Sequence, residues 1–191
     1  LRYVRNKENI GAAASRNLGV NMSEGKYVAF LDADDWWEPG KLRAQLDIME
    51  KTGTVLTYTG RRIHYGDLIQ EYRVPESVTY DELLKCNYIA CSSVLLERKW
   101  AERYPMSRDP GIHEDYLTWL QILKKVGVVY GLPECYLDYL VHKDSRSGSK
   151  LRSMRMRAHT YRRAGLSRTK TLKYNVGYYG RWLTGFRKET M

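Results

Sequence analysis

An α/β fold with helical crossovers between strands is predicted for the first half of this chain, and three features carry the expectation. Tyr27-Val-Ala-Phe-Leu31 is an apolar run without polar alternation that ends in Asp32, Asp34 and Asp35. Such a run reads as a strand buried on both faces of a parallel sheet, where ligands bind beyond the carboxyl ends of the strands. Before it come a strand-like Leu1-Arg-Tyr-Val-Arg5, a polar turn from Asn6 to Gly11, and a small-residue helix from Ala12 to Met22 with Gly25 as its stop. That order is β-α-β. After the acids, Pro39 suits the first turn of a crossover helix whose Leu42, Leu46 and Met49 fall at i, i+4 and i+7, with Gly53 closing it.

Thr54 to Ile63 is β-branched and aromatic, so it reads as a strand, and Ile69 to Val74 can pair with it across the turn at His64 to Leu68. Val78 to Lys85 reads as a short helix and Ile89 to Glu97 as a strand. A polar loop is expected over Arg103 to Gly111. A helix is expected from Glu114 to Val126, with a stripe at Leu117, Leu120 and Leu123. Two late strands follow, Val128 to Leu132 and Tyr136 to Val141, and then a flexible polar segment from His142 to Lys150.

Composition bounds the possibilities. The chain has 191 residues with 43% apolar side chains, enough for a real core in one domain with an appendage. Cys86, Cys91 and Cys135 are an odd number without a C-x-x-C spacing, which argues for a reducing cytosol over a disulfide framework or a zinc site. No run approaches the roughly 20 apolar residues that cross a bilayer. The net charge of +10 is confined to one end: Leu151–Met191 carries eleven Lys or Arg and one acid, against 21 and 21 before it. This shift near residue 150 is the organisational boundary.

Two acidic clusters carry the candidate chemistry. Asp32, Asp34 and Asp35 offer hard oxygen ligands at a strand end and suit a divalent metal, although acids there can equally cap a helix and solvate a turn. Glu114 and Asp115 sit in the first turn of a helix, where acids are ordinary and the dipole tends to keep them ionised. Residues i and i+1 point about 100° apart, so one of the two faces a cleft more readily. Trp36 and Trp37 read as either a ligand-facing platform or core.

Asn9-Ile-Gly-Ala-Ala-Ala-Ser-Arg-Asn-Leu-Gly19, Gly25-Lys-Tyr-Val-Ala-Phe-Leu-Asp-Ala-Asp-Asp35 and His113-Glu-Asp115, in that order and spacing, resemble family 2 glycosyltransferases. The resemblance covers roughly residues 1 to 150. It implies a GT-A-like, Rossmann-type mixed sheet flanked by helices, and an inverting enzyme that uses a nucleotide sugar, a UDP-sugar foremost. It further implies Asp34 as a ligand of Mg²⁺ or Mn²⁺, and Asp32 as a metal or ribose ligand. Asn9, Arg16 and Arg146 would be donor-binding residues, Asp115 the general base and Glu114 an acceptor-positioning residue. Asp35 is left as a residue opening the next helix. His142, Lys143, Arg146 and Ser147 resemble the family's late segment that folds over the diphosphate. Family members begin with a strand, a helix and a second strand that hold the base, so the resemblance also implies a beginning missing from this chain by truncation or loss.

The basic tail is expected to be an amphipathic helical appendage. Leu151, Met154, Ala158, Tyr161 and Gly165 form one stripe, and Leu172, Val176, Tyr179, Trp182, Leu183 and Phe186 follow, with arginines and lysines off them. Basic charge with interfacial aromatics suits an anionic membrane surface, and no nucleic-acid motif is present. The expected protein is therefore a metal-dependent transferase at the cytosolic membrane face, acting on a glycan or lipid-linked acceptor. Its rival is an impaired remnant that binds membranes or a partner.

Overall fold

The computed structural model describes residues 2–141 and 150–183. The chain runs through α1 (Ala12–Met22), β1 (Tyr27–Ala29), β2 (Trp36–Trp37), α2 (Lys41–Thr52), β3 (Leu56–Tyr65) and β4 (Leu68–Tyr72). Then come β5 (Ser77–Thr79), α3 (Tyr80–Lys85), a 3₁₀ turn at Cys91–Ser93, β6 (Leu95–Glu97), α4 (Arg98–Arg103) and α5 (Glu114–Val126). The long β7 (Val128–Leu140) and the helices α6 (Lys150–Arg163) and α7 (Arg168–Leu183) complete it. The strands form one mixed sheet in the order β1-β6-β3-β7-β2, with β4 on β3 and β5 on β7. Only β3 and β7 run parallel; the other pairs are antiparallel.

Several sequence expectations need correcting. Residues 2–5 are irregular, with Tyr3 and Val4 exposed, because no strand among the described residues lies alongside to take their backbone hydrogen bonds. β1 is an edge strand paired antiparallel to β6, so Val28 and Phe30 are buried while Leu31 is 48% exposed. The expected strand at Ile89 to Glu97 is broken by the 3₁₀ turn, which leaves only β6, and the segment after it includes the helix α4.

The two expected late strands are one. Their register against β3 skips between Leu132 and Cys135, so Pro133 and Glu134 form the extra residues of an irregularity, and Gly60 faces it. A side chain on Gly60 would meet the Pro133 carbonyl oxygen at 2.5 Å, so only glycine admits this approach.

Helix α2 ends at the expected Gly53, which sits at φ 69°, but it starts at Lys41, after Pro39, and its buried face differs. Lys41, Gln45 and Met49 point inward and Leu42 is exposed. Lys41 is only 1% exposed; its Nζ donates to Gln45 Oε1 at 2.7 Å and lies 4.3 Å from the centre of the Trp37 ring. Gln45 Nε2 in turn donates to the carbonyls of Thr57 and Ser93. Polar contacts to backbone across the sheet therefore set the rotation of this helix, where the apolar pattern alone would have placed Leu42 inside. Burial lowers the Lys41 pKa to about 7 from 10.5. Below pH 7 both folded and unfolded chains hold the proton. Between about 7 and 10.5 the unfolded chain binds more, so this group makes stability rise with pH there. Lys41→Met is expected to remove that rise, measured by urea unfolding at pH 7 and 10, with an effect on the order of 3 to 5 kcal/mol. An identical pH slope in the variant would refute it.

The core lies between the sheet and α5, whose Tyr116, Trp119, Leu120, Ile122 and Leu123 are buried against Phe30, Leu56 and Leu96 among others. Phe30 and Trp119 are 6.3 Å apart, tying β1 to α5. The tail helix α6 shares this core. Tyr161 Oη donates to the Leu84 carbonyl and Tyr116 Oη to the Leu83 carbonyl, both at 2.7 Å. The inward face of α6 is Met156, Arg157, Thr160 and Tyr161, while Leu151 and Met154 of the expected stripe are exposed. The composition boundary near residue 150 is thus no packing boundary, since Tyr161 and Leu166 belong to the same cluster as the body.

Candidate active site

The acid turn follows β1 directly. Asp35 N–H donates to the Asp32 carbonyl at 3.1 Å, closing the turn, and Asp32 N–H donates to Ser92 Oγ. Trp37 Nε1 donates to the Ser92 carbonyl at 2.7 Å. The turn is therefore anchored on both sides to the 3₁₀ segment. Asp34 lies exposed at its tip. Asp35 is buried and does not open a helix, because its Oδ1 accepts from Leu140 N–H and Gly40 caps α2 instead. Burial raises the Asp35 pKa, against a hydrogen bond from Ser92, and its Oδ2 is buried without a hydrogen-bond partner.

Arg16 projects from α1 to join the two acidic clusters. Its Nη2 donates to Asp32 Oδ1 at 2.6 Å and its Nη1 to Glu114 Oε1 at 3.3 Å. Residues 16, 32 and 114 thus meet in one partly buried cluster. Asp115 is the neighbour of Glu114 in the first turn of α5, and its Oδ1 accepts from Tyr116 N–H at 2.7 Å. The residue keeps some accessible surface, yet burial of its carboxyl, followed by the Glu114 charge, pushes its pKa up to about 6 despite Arg16 and the Tyr116 N–H. Desolvation and a like charge here outweigh one N–H and the dipole, so the pKa rises above the ordinary carboxylate value. It remains ionised at neutral pH, close to the range of a working general base.

The loop that delivers Glu114 and Asp115 is held by a residue that sequence reasoning passed over. Asn17 donates from Nδ2 to the Met106 carbonyl at 2.8 Å and accepts from Met106 N–H at 2.9 Å. Its signal was its place beside Arg16 in the first motif. Asn9 Oδ1 accepts from Gly11 N–H at 3.0 Å, so it shapes the turn before α1 rather than reaching the acid cluster. Trp36 is 46% exposed and lies 4.9 Å from His64, whereas Trp37 is half-buried under Lys41. Beneath Trp36, Asp138 binds Arg62 and His64, and those hydrogen bonds overcome burial to lower its pKa. His142, Lys143, Arg146 and Ser147 lie outside the described residues.

The donor set is all hard oxygen, which fits Mg²⁺ or Mn²⁺, and the buried Asp35 Oδ2 marks unsatisfied acceptor capacity beside it. Among the described residues no group of three His, Cys, Asp or Glu has metal-holding geometry. That suits an ion held by one or two carboxylates and completed by substrate phosphates.

A mixed sheet with acids beyond a strand end, joined by an arginine to a helix-borne carboxylate pair, has the GT-A architecture of nucleotide-sugar transferases. The first 349 residues of Staphylococcus aureus TarS share the fold at a TM-score of 0.59 and 14% identity, covering 96% of this chain and 55% of that one. The chain belongs to glycosyl transferase family 2, whose description matches residues 1–116. A Bacillus subtilis (strain 168) glycosyltransferase named for teichuronic acid biosynthesis, TuaG, is 36% identical over 161 residues, 82% of this chain and 63% of its own length. Escherichia coli WfgD, a UDP-Glc:α-D-GlcNAc-diphosphoundecaprenol β-1,3-glucosyltransferase, is 33% identical over 126 residues, 65% of this chain and 49% of its own. The chain thus spans about half to two thirds of these relatives. No helix among the described residues is long and apolar enough to cross a membrane.

Proposed function

We propose that this chain carries the catalytic half of an inverting, metal-dependent glycosyltransferase that moves a sugar from a UDP-sugar to a glycan or lipid-linked acceptor in cell-surface polysaccharide synthesis. The observation that carries the reading is the Arg16 bridge, which draws Asp32 of the acid turn and the Glu114–Asp115 pair into one cluster. Asp115 takes the proton of the acceptor hydroxyl as that oxygen attacks the anomeric carbon, and the bond from that carbon to the diphosphate oxygen breaks. A single displacement of this kind inverts the centre and needs one base. Glu114, held by Arg16, positions the acceptor. Asp34, with Asp32 beside it, would hold Mg²⁺ or Mn²⁺, which when bound offsets charge on the leaving diphosphate. Arg16 keeps Asp32 oriented toward the donor.

A basic, partly apolar face on α6 and α7 suits attachment to an anionic membrane surface. Leu172 and Val176 are 65% and 62% exposed, Leu151 is exposed on α6, and Arg152, Arg155, Lys170 and Lys173 are exposed on the same two helices. The test is transfer from UDP-sugars to a prenyl-diphosphate-linked sugar, followed by product stereochemistry. Inverted product that requires Mg²⁺ or Mn²⁺ is expected. Asp34→Asn should weaken metal-supported donor binding by at least the roughly 10- to 100-fold typical of disturbed metal sites, and leave binding in EDTA unchanged. Retained stereochemistry, or full metal-dependent binding by the variant, would overturn it.

A further inference from the structure

A cleft of about 480 Å³ lies between α6 and the loop that precedes α5, lined by Pro110, Gly111, Arg152, Arg155, Met156 and His159. Its two walls are joined by short contacts. His113 N–H donates to Thr160 Oγ1 at 3.0 Å, and a side chain added at Gly111 would come within 3.2 Å of His159 Nδ1. His113 immediately precedes Glu114 and Asp115, so the loop that forms one wall of the cleft leads directly into the first turn of the helix that carries the proposed base. Arg152 and Arg155 are exposed, and among the described residues neither is engaged in an ion pair. The nearby Asp109 turns its Oδ1 to Gly111 N–H at 2.8 Å, within its own loop.

Two guanidiniums and an imidazole converging on one open cleft define a site for a multiply charged oxyanion, since guanidinium forks match phosphate oxygens. None of Asp32, Asp34 and Asp35 lines this cleft, so it is distinct from the metal site proposed at the acid turn. We propose that the Arg152–Arg155–His159 cleft binds the diphosphate of a lipid-linked acceptor, on the tail side of Asp115. The proposal rests on the transferase reading. It gives the basic tail a role in substrate recognition: α6 docks through Tyr161 and leaves its arginines over the loop that leads into α5. The apolar Leu151 at the rim suits the start of the prenyl chain.

The test follows the His159 imidazole resonance by NMR in the intact chain, assigned with His159→Gln and recorded in EDTA. The probes are inorganic pyrophosphate, a water-soluble short-prenyl diphosphate sugar, and phosphatidylglycerol vesicles. The two soluble diphosphates are expected to shift the resonance saturably. Arg152→Gln/Arg155→Gln should weaken that binding by roughly tenfold or more, and Asp34→Asn should leave it unchanged. Both arginines are exposed, so the double variant should keep the wild-type circular dichroism. In the transfer assay it should raise acceptor KM with little change in kcat. Equal binding by the double variant, or a response to vesicles with none to the soluble diphosphates, overturns the proposal. If the diphosphates bind as expected but no donor is turned over, the cleft stands and the transferase reading fails.

Discussion

Asp115→Asn is expected to abolish transfer and to stabilise the folded chain at neutral pH. The carboxyl is the group proposed to accept the acceptor proton, and loss of a general base lowers kcat by about 10²- to 10⁴-fold. Donor binding should survive, because Asp32, Asp34 and Arg16 are untouched. The stability gain follows from the raised pKa. Unfolded, the group titrates near 3.8; folded, burial and then Glu114 hold it near 6. Below pH 3.8 it is protonated in both states and contributes no difference. As pH rises toward 6 the unfolded chain loses the proton more readily, so ionisation works against folding, and above 6 the full penalty of about 2 to 3 kcal/mol remains. Denaturant unfolding of wild type and variant should therefore coincide near pH 4 and separate by that amount at pH 8. A variant that is inactive but less stable at pH 8 would contradict the electrostatic account. One that transfers sugar at the wild-type rate would remove Asp115 from the chemistry.

Arg16→Ala is expected to damage both stability and the pH profile. Its guanidinium faces Asp32 and Glu114 and lowers the Asp115 pKa, so its loss leaves acids of the same sign around an empty space. Breaking a buried ion pair typically costs 3 to 5 kcal/mol; with Asp32 partly exposed, about 2 to 4 kcal/mol is expected here. The Asp115 pKa should move above 6, carrying the acidic limb of the kcat/KM profile to higher pH. Arg16→Lys should recover part of the limb, because the charge returns, but less of the stability, because one ammonium does not reproduce the two-armed fork. An unmoved limb in Arg16→Ala would show that the bridge does not set the base.

Much of the site was legible because it sits in contiguous motifs. The acids after the apolar run, Arg16 in a small-residue helix and the acid pair opening α5 could each be read locally, and α1 and α5 have the expected boundaries. Less legible were contacts that depend on which face a helix turns inward. The stripe Leu42, Leu46 and Met49 was as regular as any in the chain, yet Lys41 and Gln45 are buried beside Met49, Gln45 through bonds to the Thr57 and Ser93 carbonyls and Lys41 through its bond to Gln45. The tail arginines read as a membrane-facing basic face, since the cleft they share with Pro110 and Gly111 joins segments about 40 residues apart.

The sequence by itself determined the class of fold, the family resemblance and the chemical identity of the acids, because these are local patterns of residue type and spacing. Only the tertiary structure decided how they act together. It put β1 on an antiparallel edge, joined Asp32 to Glu114 through Arg16, buried Asp35, raised the Asp115 pKa and docked α6 on His113 just before α5. The physical reason is the same in each case: desolvation and ion pairing depend on what lies across the gap, and for these groups the neighbour comes from a distant part of the chain.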